Sequence, residues 1–197
     1  MTSAIGARDW LCNPEAEVSA HYVIAEDGHL WQLVSEEDRA WHAGAGAWGG
    51  IQDVNSHSIG IEIANTGSQP FADPQMRVLE NLLRGIMTRW DIPADRVIGH
   101  SDCALGRKID PGRRLDWLRL ARQGLAIWPD AAMPGDFAKD CAAFGYVAEQ
   151  GQQDQLLDAF RMRFRPWAVG PLDDMDRGLA ADLAARWPFQ SETDLVV

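Results

Sequence analysis

The segment from Asp73 to Trp90 restricts the fold of this chain more than any other. Asp73-Pro74 is a typical helix start, because Asp is a good N-cap and Pro suits the first helical position. Apolar residues then recur at spacings of three and four, at Met76, Leu79, Leu82, Leu83, Ile86, Met87 and Trp90. The pattern predicts an amphipathic helix whose broad apolar face packs against another layer of structure.

Strand patterns precede and follow this helix. Asp27-Gly28 lies between two of them and favours a tight turn, so these two are predicted to form a β-hairpin. Strands interleaved with helices predict an α/β fold, a central mixed sheet flanked by helices. The predicted strands cover residues 18–24, 30–34, 58–63 and 96–98, and the further helices cover residues 4–12 and 115–123.

Composition excludes several classes of function. A formal net charge of −11 argues against a protein that tracks nucleic-acid phosphates or an anionic membrane surface. We expect no transmembrane segment, since no apolar run approaches about 18 residues. The N-terminus has no signal-peptide pattern, which predicts a cytoplasmic protein as the sequence stands. An export signal lost upstream would instead place it in the periplasm or cell envelope, so the location stays open.

The chain changes character after Trp128-Pro129. Residues 130–136 have the composition of a linker, and three short helical patterns follow it. We therefore predict a first domain over residues 1–129 and a small three-helix domain over residues 137–190. A helical extension packed on the first domain explains the same periodicity.

Residues 41–50 form a glycine-rich loop with tryptophans at Trp41 and Trp48. Aromatic side chains on such a backbone often form the wall of a binding cleft. The other interpretation is a flexible loop whose tryptophans pack back on the domain. The sequence leaves both open.

Residues 97–112 concentrate the candidate chemistry. A short buried strand is predicted to end at Gly99, with His100 following it, and Asp110 comes ten residues later with Lys108 beside it. These side chains could supply two metal ligands and a cation that stabilises negative charge. In the strand over residues 58–63, Glu62 projects from the face opposite the isoleucines. A solvated loop and a solvated carboxylate are the alternatives.

Four motifs follow one another in order along the first part of the chain. They are Val18-Ser19-Ala20-His21-Tyr22 with Asp27-Gly28, Arg39-Ala40-Trp41-His42-Ala43-Gly44, Asn55 with Ser58-Ile59-Gly60-Ile61-Glu62, and Gly99-His100-Ser101-Asp102 continuing through Arg107-Lys108 to Asp110-Pro111-Gly112. These motifs resemble the type 2 N-acetylmuramoyl-L-alanine amidases, which include the AmpD-like enzymes and the peptidoglycan-recognition proteins. The C-terminal helices resemble a three-helix peptidoglycan-binding domain more loosely.

The resemblance implies a zinc-dependent hydrolysis. His100 and Asp110 would be zinc ligands, and Glu62 would be the general base. Lys108 would stabilise the oxyanion that forms at the amide carbonyl. The bond cut would join N-acetylmuramic acid to L-alanine in peptidoglycan or muropeptide fragments. The implied fold is that of the peptidoglycan-recognition proteins and amidases.

The resemblance also implies features beyond these four residues. Trp41, His42 and Asn65 would line the substrate cleft, and we expect a monomer. The family's third zinc ligand is a histidine on an early strand, which we expect upstream of Met1, so the first strand of the fold is expected to be missing here. The chain as given is then expected to be weakly active or inactive. A non-catalytic peptidoglycan-binding module and a structural protein without a cell-wall ligand are the alternatives.

Overall fold

Residues 3–190, the part of the chain that the computed structural model describes, form a small sheet surrounded by helices. The three strands are β1 (Tyr22–Ile24), β2 (Leu30–Gln32) and β3 (Ile61–Ile63). The α-helices are α1 (Ala4–Leu11), α2 (Asp73–Trp90), α3 (His100–Cys103), α4 (Trp117–Ala121), α5 (Phe137–Phe144), α6 (Gln153–Phe164) and α7 (Asp174–Arg186), with 3-10 turns at Pro14–Ala16, Val54–His57 and Ala94–Arg96.

The sheet has the strand order β2-β1-β3 and is mixed. β1 pairs antiparallel with β2, with Val23 opposite Trp31, and parallel with β3, with Val23 opposite Glu62. The hairpin turn forms as predicted: Gly28 has φ +89°, and the Asp27 carboxylate accepts a hydrogen bond from the His29 amide at 2.9 Å. The predicted α/β class with a mixed sheet is confirmed.

The long helix α2 packs its apolar face on this sheet. Its buried Leu79, Leu83 and Ile86 share one hydrophobic cluster with Tyr22 and Ile24 of β1. Burial of each such side chain contributes about 1.5–3 kcal/mol, so this face holds the layer in place.

The start of α2 differs from the prediction by one residue. Ala72 is the N-cap, and Asp73 is already helical. The Asp73 carboxylate forms ion pairs with Arg77 and Arg119 instead of capping the helix. The guanidinium groups of Arg77 and Arg119 thus take the place of the backbone amide that would donate to an N-cap carboxylate.

The end of α2 is fastened to the sheet by Glu36. This carboxylate accepts hydrogen bonds from Tyr22 Oη at 2.6 Å, Trp90 Nε1 at 2.7 Å and Arg89 Nε at 2.9 Å. The hydrogen bonds from Arg89 lower the pKa of Glu36 to about 2. Burial and Glu36 raise the pKa of Tyr22 to about 12.

The strand predicted over residues 96–98 does not form. Ala94–Arg96 is a 3-10 turn, and no strand among residues 3–190 pairs with the extended segment that follows. The Val97 carbonyl accepts a hydrogen bond from Arg163 Nη2 at 2.8 Å, so a side chain takes the place of a neighbouring strand. Val97 and Ile98 are half-buried, not fully buried as predicted. The apolar pattern correctly indicates extended backbone at Val97, but a strand also needs a neighbouring strand with which to pair.

The three C-terminal helices form as predicted. Their buried Phe144 and Phe160 belong to the same hydrophobic cluster as Trp48 and Cys103 from the first part of the chain. The helices are therefore packed on that part through a shared core. The boundaries at residues 129 and 137 stay predictions.

None of the helices in residues 3–190 is long and apolar enough to cross a membrane. Cys12, Cys103 and Cys141 are free thiols, and the last two are buried.

Candidate active site

His100 and Asp110 meet at the centre of the site. His100 is the first residue of α3, not the last of a strand, and its Nδ1 lies 2.9 Å from Asp110 Oδ2. The Ser101 amide donates to the Asp110 carbonyl at 2.8 Å, which closes the loop between the two side chains. The His100 side chain is 14% exposed and that of Asp110 is 54% exposed, so the pair opens to solvent on the carboxylate side.

A backbone carbonyl fixes the orientation of the His100 ring. Nε2 lies 2.9 Å from the Ala43 carbonyl oxygen, which can only accept, so Nε2 carries a proton. Nδ1 is the nitrogen that faces the Asp110 carboxylate at 2.9 Å, as a hydrogen-bond donor when it is protonated and as a potential metal ligand when it is not. This arrangement suits a metal ligand whose other ring nitrogen donates to a supporting group.

Glu62, on β3, lies within electrostatic range of the same pair. Burial raises the pKa of Glu62, and the negative charge of Asp110 raises it further, whereas His100 and Lys108 oppose the rise. Burial would also raise the pKa of Asp110, but the hydrogen bond from His100 and the charges of His100 and Lys108 outweigh it and lower that pKa. The four predicted catalytic and metal-binding residues are thus close enough to influence one another's ionisation.

Two side chains in the described part of the chain, not three, could hold a metal ion. Within residues 3–190 no group of three His, Cys, Asp or Glu side chains has the geometry of a metal site. His100 Nδ1 and Asp110 Oδ2 offer a nitrogen and an oxygen ligand, both of types that zinc accepts. The described residues therefore fit a zinc ion as two of its ligands.

Arg107 contributes to the site in a way that the sequence patterns do not predict. Its guanidinium donates to the carbonyls of Ala43 and Ala45 and lies 3.5 Å from His100 Nε2. At Gly44, where φ is +61°, an added Cβ would lie 3.2 Å from Arg107 Nη1. Arg107 thus holds the glycine-rich loop against the His100 ring. Its place next to Lys108 was the one signal in the sequence.

Asn55 holds the same loop from the other side. Its Oδ1 accepts hydrogen bonds from the backbone amides of His42 at 3.0 Å and Ala43 at 2.8 Å. Because Asn55 is buried, these bonds fix the backbone up to Ala43, whose carbonyl supports His100. The sequence motif contained Asn55 but gave it no role.

His42 packs behind the site. A Cβ on Gly60 would lie 2.4 Å from the His42 ring, so glycine is needed there for the ring to fit. The ring centroid lies 5.6 Å from that of His21. Burial and then the charge of His21 lower the pKa of His42 to about 4, which keeps the ring neutral near pH 7.

The two other residues predicted to line the cleft lie in different surroundings. Trp41 is 53% exposed, and the Arg39 guanidinium stacks 3.9 Å from its ring centroid. Asn65 stabilises its own loop, where its Oδ1 accepts from the Gly67 amide at 2.7 Å. Trp48, by contrast, is buried against Phe144 and Tyr146. Trp48 therefore packs back on the domain, whereas the cleft-wall role of Trp41 stays a prediction.

Comparison with known proteins identifies the family. Residues 1–113 match the family described as N-acetylmuramoyl-L-alanine amidase. The chain belongs to this amidase family. It is 35% identical over 187 residues to N-acetylmuramoyl-L-alanine amidase AmiD of Escherichia coli K12, an alignment that covers 77% of this chain and 68% of AmiD. The predicted recognition and enzyme class are confirmed.

Solved structures of the amidase family extend the similarity to the C-terminal helices. The complex of Escherichia coli AmiD with anhydro-N-acetylmuramic acid-L-Ala-D-γ-Glu-L-Lys has a TM-score of 0.85 and 32% identity, covering 93% of this chain and 84% of AmiD. The Pseudomonas aeruginosa AmpDh3 complex with anhydromuramic pentapeptide has a TM-score of 0.86 and 30% identity, covering 95% and 89%. The amidase fold predicted for the chain is confirmed.

A third relative matches about half of the chain. The 1,6-anhydro-N-acetylmuramyl-L-alanine amidase AmpD of Haemophilus influenzae is 42% identical over 106 residues, which cover 53% of this chain. The match spans 58% of AmpD, just over half its length. The similarity to AmpD thus concerns about half of each protein.

Proposed function

We propose that this chain is a zinc-dependent N-acetylmuramoyl-L-alanine amidase that acts on peptidoglycan or muropeptides. The observation that carries the proposal is the convergence of Glu62 and Lys108 on the His100–Asp110 pair. A base, a cation and two metal donors at one point are the groups that metal-assisted amide hydrolysis requires.

His100 and Asp110 would hold the zinc ion, with Ala43 as the supporting carbonyl. A bound zinc ion supplies Lewis acidity, which polarises a carbonyl and makes water easier to deprotonate. Catalytic zinc sites usually have three protein ligands. We expect zinc binding by these two residues alone to be weak.

Glu62 would remove the proton from the attacking water. Its raised pKa brings the carboxylate closer to the operating pH, which makes it a better base than a solvated glutamate. The same residue can then carry the proton to the departing amine of L-alanine. Burial also keeps the side chain in place, since β3 holds its backbone.

Lys108 would stabilise the negative charge that develops on the scissile carbonyl oxygen. Its ammonium group lies close enough to lower the pKa values of Glu62 and Asp110. A fixed cation that meets charge in the transition state contributes more than one that only binds substrate. Arg107 is occupied with the Ala43 and Ala45 carbonyls, which leaves this role to Lys108.

The proposed substrate carries an N-acetylmuramoyl group joined to L-alanine. AmiD and AmpDh3 are each complexed with an anhydromuramyl peptide, which supports a muropeptide for this chain. Trp41, His42 and Asn65 stay proposed as the cleft wall. His42 would line the inner side of the cleft next to Gly60, and exposed Trp41 would line its edge. The location of the protein and its monomeric state also stay proposals.

A non-catalytic peptidoglycan-binding module is the second candidate. The observation that favours it is the set of two metal donors within residues 3–190, one short of a usual catalytic site. Incubation of the full chain with purified anhydromuropeptide and excess zinc separates the two functions. Release of free stem peptide that disappears in Glu62→Gln supports the amidase, and binding of muropeptide without release supports the module.

A further inference from the structure

A buried ion pair joins the C-terminal helices to the site. Asp102 lies in α3 and Arg163 in α6, and their side chains are each 1% exposed. Arg163 Nη1 donates to Asp102 Oδ2 at 2.9 Å. Removing one member of such a pair leaves the other charge buried without a partner, so the two act as a unit.

Each member of the pair also binds the backbone or side chains around it. The Gly99 amide donates to Asp102 Oδ2 at 2.8 Å, and Tyr146 Oη donates to Oδ1 at 2.7 Å. Arg163 Nη2 donates to the Val97 carbonyl at 2.8 Å. These bonds fix the backbone on the N-terminal side of His100, which then starts α3.

The surroundings exclude water from this network. The Arg163 guanidinium lies 4.6 Å from the Trp117 ring centroid and 4.8 Å from that of Phe164. Burial, followed by the charge of Asp102, raises the pKa of Tyr146 well above its usual value, so its hydroxyl remains a donor. In such surroundings a charged hydrogen bond is stronger and more directional than at the surface.

We propose that Arg163 is a positioning residue for the catalytic loop, which we define as residues 97–112. By holding Val97 and Asp102 it sets the direction in which His100 leaves the backbone, and hence the meeting of its ring with Asp110. The C-terminal helices are then a structural part of the active site as well as a candidate wall-binding unit. The consequence for catalysis rests on the amidase function proposed above.

A matched pair on the same helix provides the control. Arg161 pairs with Asp176, with side chains 3% and 0% exposed, and it also donates to the carbonyls of Gly170 and Pro171. All of these partners lie in α7 or in the segment that connects α6 to it. Arg161→Met therefore breaks an equally buried pair that does not reach the catalytic loop.

Two buried thiols report on the two regions separately. Cys103 lies next to Asp102 in the catalytic loop, and Cys141 lies in α5 among the C-terminal helices. Exposed Cys12 is first replaced by serine in every variant. The full chain is then exposed to a neutral alkylating reagent, and labelling at each cysteine is followed by peptide mass spectrometry. Each variant is studied the same number of degrees below its own unfolding midpoint, so that global unfolding contributes equally.

Arg163→Met is expected to raise the alkylation rate of Cys103 at least about tenfold over Arg161→Met, because it opens the loop locally. Arg163→Lys, which keeps the charge, should restore part of the protection. Equal rates at Cys103 in the two methionine variants would overturn the proposal, since the pair would then contribute stability alone.

A milder pair of variants serves if Arg163→Met does not fold. Tyr146→Phe removes one hydrogen bond to Asp102, and Tyr22→Phe removes one to Glu36, away from the loop. Faster labelling of Cys103 in Tyr146→Phe alone supports the proposal, and equal labelling contradicts it. Because labelling needs no turnover, an inactive chain that shows the expected pattern would refute the amidase function and leave the positioning role intact.

Discussion

His100 donates a hydrogen bond from Nε2 to the Ala43 carbonyl oxygen at 2.9 Å, and this bond decides that Nδ1 faces Asp110. The glycine-rich loop thereby takes part in the chemistry without offering a side chain to it. Arg107 and Asn55 both hold that loop through hydrogen bonds to its backbone. The pair proposed to bind zinc is thus supported by backbone contacts from a neighbouring loop.

Replacing Asp110 with alanine is expected to weaken zinc binding by at least about tenfold, because one of two described ligands is lost. Isothermal titration of the full chain with zinc measures the effect. Asp116→Ala, at the N-cap of α4, is the control outside the pair. Equal zinc affinities for the two variants would remove Asp110 from the metal site.

Replacing Glu62 with glutamine is expected to lower the rate of muropeptide cleavage by about 10²–10⁴, the usual contribution of a general base. Stability should change little, because the amide is isosteric and burial already disfavours the charged form of Glu62. Initial rates and thermal unfolding measure both effects. Glu37→Gln, at an exposed position, should leave the rate unchanged. A Glu62→Gln variant with full activity would exclude the proposed base.

Replacing Lys108 with alanine is expected to lower kcat by about 10²–10³, since charge on the carbonyl oxygen would develop without its cation. Lys139→Ala in α5 is the matched control, because Lys139 is the other lysine of the chain and is exposed. The prediction is that kcat falls for Lys108→Ala alone, with KM changed less. A loss confined to KM would make Lys108 a substrate-binding residue.

Replacing Gly60 with alanine is expected to destabilise the protein by about 1–3 kcal/mol, because the new methyl group overlaps the His42 ring. Gly50 is the control, since a Cβ there would meet no atom within 4 Å. Urea unfolding of both variants measures the difference. Equal stability would show that the His42 ring has room to move.

The lowered pKa of Glu36 implies a specific pH dependence of the free energy of unfolding. Its pKa is about 2 in the folded protein, against an ordinary value of 4.5, so its ion pair stabilises fully above about pH 4.5 and this is lost as pH falls through 2. Glu36→Gln should therefore lower the free energy of unfolding by about 1–3 kcal/mol at pH 7. The difference from the parent chain should shrink between pH 4.5 and pH 2. A difference that is constant with pH, or one that Glu37→Gln reproduces, would contradict the assignment.

The sequence predicted those elements that local pattern determines. The apolar face of α2, the Asp27-Gly28 turn and the three C-terminal helices follow from periodicity and turn chemistry within a few residues. The strand over residues 96–98 failed because pairing depends on a distant partner. Burial of Trp48 likewise depends on residues about 100 positions away, which no local pattern contains.

The sequence predicts the residues proposed to carry the chemistry of the candidate site, but not the residues that hold them in place. His100, Asp110, Glu62 and Lys108 were identified from residue type, spacing and family resemblance. The supporting roles of Arg107 and Asn55, and the pair formed by Asp102 and Arg163, arise from contacts between segments far apart in the chain. Arginine and asparagine at such positions look like ordinary surface residues in the sequence.

The most direct test of the proposed function measures cleavage of the amide bond between N-acetylmuramic acid and L-alanine. The full chain is incubated with anhydro-N-acetylmuramoyl-L-alanyl peptide and excess zinc, and the products are resolved by mass spectrometry. We expect slow release of intact stem peptide with a free L-alanine amine, abolished by Glu62→Gln and by chelation of zinc. Absence of stem-peptide release at saturating zinc, from a folded chain that still binds the muropeptide, would contradict it.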